Sequence, residues 1–183
     1  GTNLDDVWVL KDAGGAQPAW EALAPAGEAP PARSGAGAAY DPIADRLIVF
    51  GGANADGALN DLWVLTGANG LGGAPEWRRL EVAGVMPGRR FGAAVAYEPV
   101  SRRLIVFGGS TGGVDSGTNF VFADAWMLTE ANGVSPGAQW VRLSPGGGPP
   151  AARFRPAFAY SASANRLIVA GGANNKLAAP PDD

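Results

Sequence analysis

The groups in this 183-residue chain that could do chemistry are carboxylates and guanidinium groups, because it has no histidine and no cysteine. Those two absences remove the usual general base, the thiolate nucleophile, the soft metal ligands and disulfides. Acid–base or electrostatic catalysis would have to run through Asp, Glu and Arg. Three aspartates, Asp6, Asp61 and Asp124, each stand 2 residues before a tryptophan, Trp8, Trp63 and Trp126. Three arginines, Arg33, Arg90 and Arg153, each stand 13 residues after another tryptophan, Trp20, Trp77 and Trp140. A group demanded once per repeat serves the repeat. We therefore read each Asp as a hydrogen-bonding anchor for the loop before the next strand, and each Arg as a fork bonded to carbonyls or to a neighbouring carboxylate. Of the other acids, Asp41, Asp45 and Glu98 read as exposed turn residues.

Metal and phosphate motifs are weak. Asn54-Ala-Asp56-Gly57 offers oxygen ligands without the bidentate Glu that closes a calcium loop, and Gly108-Gly-Ser-Thr-Gly-Gly113 has neither a Lys-Ser/Thr pair nor a following helix. No metal and no cofactor are expected. A net charge of −3 gives no electrostatic footprint for nucleic acid, and no apolar run approaches the length of a membrane span. The stretch Gly1-Thr-Asn-Leu-Asp-Asp6 has neither the charged nor the apolar part of a leader.

The elements that must position these residues are set by a repeat. Arg46-Leu-Ile-Val-Phe-Gly-Gly52 returns as Arg103-Leu-Ile-Val-Phe-Gly-Gly109 and as Arg166-Leu-Ile-Val-Ala-Gly-Gly172. A short β-branched run before paired glycines predicts a strand buried on both faces, ending in a turn that needs φ > 0. The repeat is 57 residues long from Arg33 to Arg90 and 63 from Arg90 to Arg153, a period of propeller blades. Each unit resolves into four strands; in the first full one these are Ser34 to Tyr40, Arg46 to Phe50, Asp61 to Thr66 and Trp77 to Val82. Small residues in the first of them, Gly35 to Ala39, suit the crowded inner position where sheets converge on an axis.

Together the paired glycines, the preceding Tyr (Tyr40, Tyr97, Tyr160), the Asp-x-Trp strand, the Trp-x-x-Leu strand and the Arg that opens each unit resemble kelch repeats over essentially the whole chain. The resemblance implies an all-β, kelch-type propeller of four-stranded antiparallel blades. Kelch-like copper oxidases need His, Tyr and Cys side chains, and this chain lacks two of those three types. Two functions stay open: a non-catalytic scaffold that binds a protein segment or a glycan, and a carbohydrate or sugar-acid hydrolase or isomerase with a carboxylate and Arg site in the channel.

Specific function is expected where the repeat is broken. The loop from Ser110 to Phe122 is 6 residues longer than its counterpart and carries Asp115, Asn119, Phe120 and Phe122. Just after each repeat Arg the copies read Ser34-Gly35, Phe91-Gly92 and Phe154-Arg155. In kelch propellers similar to this chain those positions face one mouth of the central channel. Ser34, Phe91, Phe154, Arg155, Asp115, Asn119 and Phe120 are thus the candidate ligand-binding residues, an aromatic-plus-Arg surface in place of an acid–base pair.

The blade boundaries also predict assembly. Residues 1–32 supply the last two strands of one blade, 33–89 and 90–152 whole blades, and 153–183 the first two strands of another. That is three blades' worth of strands, and three blades alone would each have to fill a wedge of about 120°. The expectation is head-to-tail self-association, in which Leu4 to Leu23 complete the partner's Phe154 to Gly172 and Leu177 stands in the place of Leu59, giving six blades; the alternative is a piece of a longer propeller whose remaining blades lie outside the given chain.

Overall fold

The computed structural model describes residues 2–112 and 120–174, and among them there is no helix. Strand β1 (Val7–Lys11) pairs with β2 (Ala19–Leu23) in a hairpin. Strands β3 (Gly37–Asp41), β4 (Arg46–Asn54), β5 (Gly57–Thr66) and β6 (Glu76–Arg79) form an antiparallel sheet in chain order. Strands β7 (Ala94–Glu98), β8 (Arg103–Phe107), β9 (Ala125–Leu128) and β10 (Trp140–Leu143) form a second, and β11 (Ala157–Ser161) pairs with β12 (Arg166–Ala170). Antiparallel sheets of two and four strands with no helix fit a kelch-type propeller.

The central strands β4 and β5 of the first four-stranded sheet are apolar on both faces because both faces are covered. Ile48, Phe50, Leu62 and Val64 share one core with Val95, Leu104, Val106, Trp126, Leu128 and Trp140 of the second sheet. Alternate residues of the first sheet, Val49, Trp63 and Leu65, form another core with Trp77, and Val7 of the β1–β2 hairpin packs against it. The innermost strands line up, β3 against β7 and β7 against β11. There the need for small residues is concrete: a Cβ on Gly37 would fall well inside van der Waals contact with the buried Val95 side chain. Gly37→Ala is expected to cost about 1–3 kcal/mol by overpacking, measured by chemical denaturation.

The paired glycines end the strand as expected in two copies, where β8 stops at Phe107 and β12 at Ala170, but not in the first. Gly51 and Gly52 do take φ of 63° and 100°, yet β4 does not end there. Its pairing with β5 shifts register between Phe50 and Gly52 and resumes to Asn54 opposite Gly57. The result is a bulge in which Asn60 and Asp61 of β5 stand opposite the single Gly51 of β4, so the extra residue lies on β5 while the two positive-φ glycines keep β4 in the ladder. β3 begins at Gly37, three residues later than predicted from Ser34, which makes only an isolated bridge to Ala53.

The repeated Arg and Asp lock each sheet to itself. Arg90 donates from Nε to the Gly88 carbonyl at 2.9 Å, from Nη1 to the Gly108 carbonyl at 3.0 Å, and through Nη1 and Nη2 to the Asp124 carboxylate at 2.7 and 3.1 Å. The Trp126 indole donates to the same carboxylate at 2.7 Å. Arg33, Asp61 and Trp63 repeat the arrangement, with Arg–Asp bonds of 2.6 and 2.8 Å. These are structural groups, as the once-per-repeat spacing implies.

One acid was misplaced by the sequence. Asp41, expected in an exposed turn, is buried. It accepts from the Ile43 and Ala44 amides and also from the Tyr97 hydroxyl at 2.9 Å and the Asn132 side chain at 2.8 Å. Burial alone would push its carboxyl up, but the bonds from Asn132, Ile43, Tyr97 and Ala44 outweigh that and hold it below the usual range. Burial and the bond to this anion both push the Tyr97 hydroxyl up. Asp41 is a latch between sheets, and both partners that reveal it lie more than fifty residues away along the chain.

Candidate functional site

At one end of the sheets the segments that follow Arg33, Arg90 and Arg153 stack as successive steps. The Gly92 amide donates to the Gly35 carbonyl at 2.7 Å, and the Arg155 amide to the Gly92 carbonyl at 2.6 Å. The three steps share one backbone conformation, with φ of 62° at Gly35, 63° at Gly92 and 50° at Arg155. Two repeats satisfy this left-handed geometry with glycine. The third places arginine there, at a cost of roughly 1 to 2 kcal/mol for a side chain that glycine would avoid. Glycine at 92 is what admits it, since a Cβ there would lie 2.9 Å from Arg155 Cγ.

The Arg155 side chain is exposed and spans two aromatic rings. Its Cζ lies 5.6 Å from the Phe91 ring centre and 5.9 Å from that of Phe154, and the rings themselves meet edge to face at 5.8 Å. These are distances at which ring quadrupoles attract a cation and each other. Among the described residues the guanidinium makes no hydrogen bond and no salt bridge. Its neighbour Arg153, two residues earlier, spends its Nε and Nη1 on the Ala151 and Gly171 carbonyls at 3.0 and 2.8 Å.

The sequence-predicted residues therefore separate into groups. Phe91, Phe154 and Arg155 form one cluster, and exposed Ser34 stands at the next step beside Gly35. Phe91 also pairs with Ser110, and Ser110 with Val121, so the stem of the lengthened loop adjoins the cluster. Phe120 on that stem is 67% exposed. Phe122 instead folds back, its ring centre 4.0 Å from Arg90 Cζ, and serves the sheet. Asp115 and Asn119 lie outside the described residues. What sequence reasoning missed is the backbone geometry of Arg155. The signal was present, since aligning the three copies sets Arg155 opposite two glycines.

The comparisons with known proteins concern the fold. Residues 1–180 match the family model described as the KLHDC2/KLHL20/DRC7 Kelch-repeats domain. No curated protein matches the sequence. Among solved structures, the one titled "Structure of YjhT" is similar with a TM-score of 0.54 at 15% identity, covering 86% of this chain and 54% of that one. The chain thus spans about half the length of that structure.

Proposed function

Because the chain belongs to the kelch-repeat family, whose members share a propeller scaffold and not a chemistry, we propose that it is a non-catalytic scaffold binding a protein segment or a glycan through the Ser34, Phe91, Phe154 and Arg155 surface. The scaffold in this reading is a six-bladed ring in which residues 33–89 and 90–152 are whole blades and 1–32 and 153–183 are halves. The observation that carries the proposal is Arg155: a cation with no hydrogen bond or salt bridge among the described residues, held at a strained backbone position over two aromatic rings, where the other repeats carry glycine. Strain of that kind persists where something other than stability selects it. A guanidinium set over aromatic rings suits an acidic or polar group flanked by an apolar face, the pattern of an interaction hot spot. Phe120 on the stem of the lengthened loop adds to the surface in this reading, and Asp115 and Asn119 are proposed as further ligand-binding residues on the sequence alone.

The test is a glycan and peptide array probed with wild type, Phe154→Ala, Arg155→Ala and Arg155→Gly. Binding is expected to fall about tenfold or more in each variant. Arg155→Gly should at the same time leave the thermal midpoint unchanged or raise stability by up to about 1 kcal/mol, since glycine relieves the left-handed strain. Loss of stability comparable to a core truncation would remove these residues from the binding surface. Turnover of a sugar or sugar acid by wild type that Arg155→Ala abolishes would replace the scaffold with the enzyme reading.

A further inference from the structure

The outer edge of the second sheet, three strands away from β7, carries a cavity separate from the Arg155 surface. It has a volume of about 680 Å³, the size of a small-molecule site, and is lined by Trp126, Trp140 and Arg142 together with Val85 and Met86 of the segment that joins the two four-stranded sheets. Ala83 of that segment bridges Gln139 just before β10, which ties one wall to the other. Sheet, connector and cavity all lie between β6 and the end of β10, so the walls do not depend on the two ends of the chain.

Two donors among these lining residues lack an acceptor. Trp140 is 8% exposed, and its indole Nε1 makes no hydrogen bond among the described residues, whereas the Trp63 and Trp126 indoles each bond an aspartate. Arg142 stands two residues further along β10, on the same face as Trp140. That face looks at the first sheet, since Trp140 packs on Phe50 with ring centres 5.2 Å apart. The Arg142 guanidinium makes no salt bridge and no hydrogen bond among the described residues. A buried donor without an acceptor is costly, and a ligand oxygen would satisfy it.

The preceding repeat shows what has changed. Glu28, Glu76 and Glu81 stand there at the positions of Val85, Gln139 and Ser144, and Arg78 and Arg79 at those of Val141 and Arg142. Arg78 pairs with Glu76 at 2.7 Å and Arg79 with Glu81 at 3.2 Å, each within its own segment. Three carboxylates facing two guanidinium groups become none facing one, so the local balance changes from −1 to +1. Ala29 is also replaced, by Met86, which packs against the core between the sheets. The second copy has lost its anions, kept one cation and gained apolar walls. We infer that this cavity binds a small aromatic carboxylate. Arg142 takes the carboxylate, with the Trp140 indole as a second donor, and the ring lies against Trp126, Val85 and Met86.

Isothermal titration calorimetry with naphthoate tests this, with naphthamide as the uncharged counterpart of the same shape. Naphthoate is expected to saturate one site, and naphthamide to bind about tenfold or more weakly. Arg142→Gln should bring naphthoate down to the affinity of naphthamide. Val85→Glu restores the acid of the preceding repeat at a 78% exposed position and should weaken naphthoate about tenfold or more. Both side chains are exposed, so each variant should keep the thermal midpoint of wild type. Arg79→Gln and Arg155→Ala should leave naphthoate binding unchanged, the second because the Arg155 surface is a different site. Absence of saturable binding, equal affinity for the amide, full binding by Arg142→Gln or its loss in Arg155→Ala would each overturn the inference. Arg142-dependent binding of a glutamate-containing peptide that naphthoate does not displace would overturn it too, by making the occupant a protein segment.

Discussion

Trp63→Ala is expected to lower the free energy of unfolding by about 3 to 5 kcal/mol, the range for truncating a large buried aromatic. The indole is 2% exposed and belongs to the core with Val49, Leu65 and Trp77. Its removal leaves a cavity between two sheets whose strands are fixed by their ladders and are slow to collapse into the space. It also removes the 2.7 Å bond from the indole Nε1 to Asp61, a carboxylate that would then rest on Arg33 alone. The measurement is urea or guanidinium denaturation at one fixed protein concentration. Val100→Ala, on an 85% exposed turn residue, should stay within about 0.5 kcal/mol. A Trp63→Ala cost below about 1 kcal/mol would mean that the two sheets do not share this core.

The fold was legible because a repeat states the same constraint several times. Arg46-Leu-Ile-Val-Phe, Asp61-Leu-Trp and their copies each predict a strand from local pattern alone, and the strands are found there. Strand ends were less legible, since Gly51 and Gly52 signal positive φ without saying whether a turn or a bulge follows. Asp41 was misread for a different reason. Its repeat counterparts are Glu98 and Ser161, so no shared pattern marks it, and its burial depends on Tyr97 and Asn132, which both arrive from the next repeat. At the candidate site the departures from the repeat drew attention to Phe91, Phe154 and Arg155. Their mutual contacts follow from the step-like stacking of successive repeats, a tertiary fact with no one-dimensional signature.

Asp124→Asn is expected to cost about 3 to 5 kcal/mol, because it leaves a buried guanidinium without its counter-charge. The Arg90 side chain is 0% exposed, and its remaining acceptors, the Gly88 and Gly108 carbonyls, are neutral. The surface pair Arg79–Glu81 is the contrast: with side chains 56% and 80% exposed, Glu81→Gln should change stability by less than about 1 kcal/mol. Wild type should also carry the signature of the lock in its pH dependence. Burial pushes the Asp124 carboxyl up, but the bonds from Arg90 and Trp126 and the Arg90 charge outweigh it, and Asp61 is held down in the same way by Arg33 and Trp63. A carboxyl whose folded pKa lies below its unfolded value of about 3.9 contributes stability that is complete above that value and is lost as pH falls through the folded one. The denaturation midpoint should thus be nearly level from neutrality to about pH 5 and fall below about pH 4. In Asp124→Asn the fall should be shallower, because one of the groups responsible no longer titrates. An acid limb of unchanged slope in that variant would show that the Arg90–Asp124 lock is not what acid breaks.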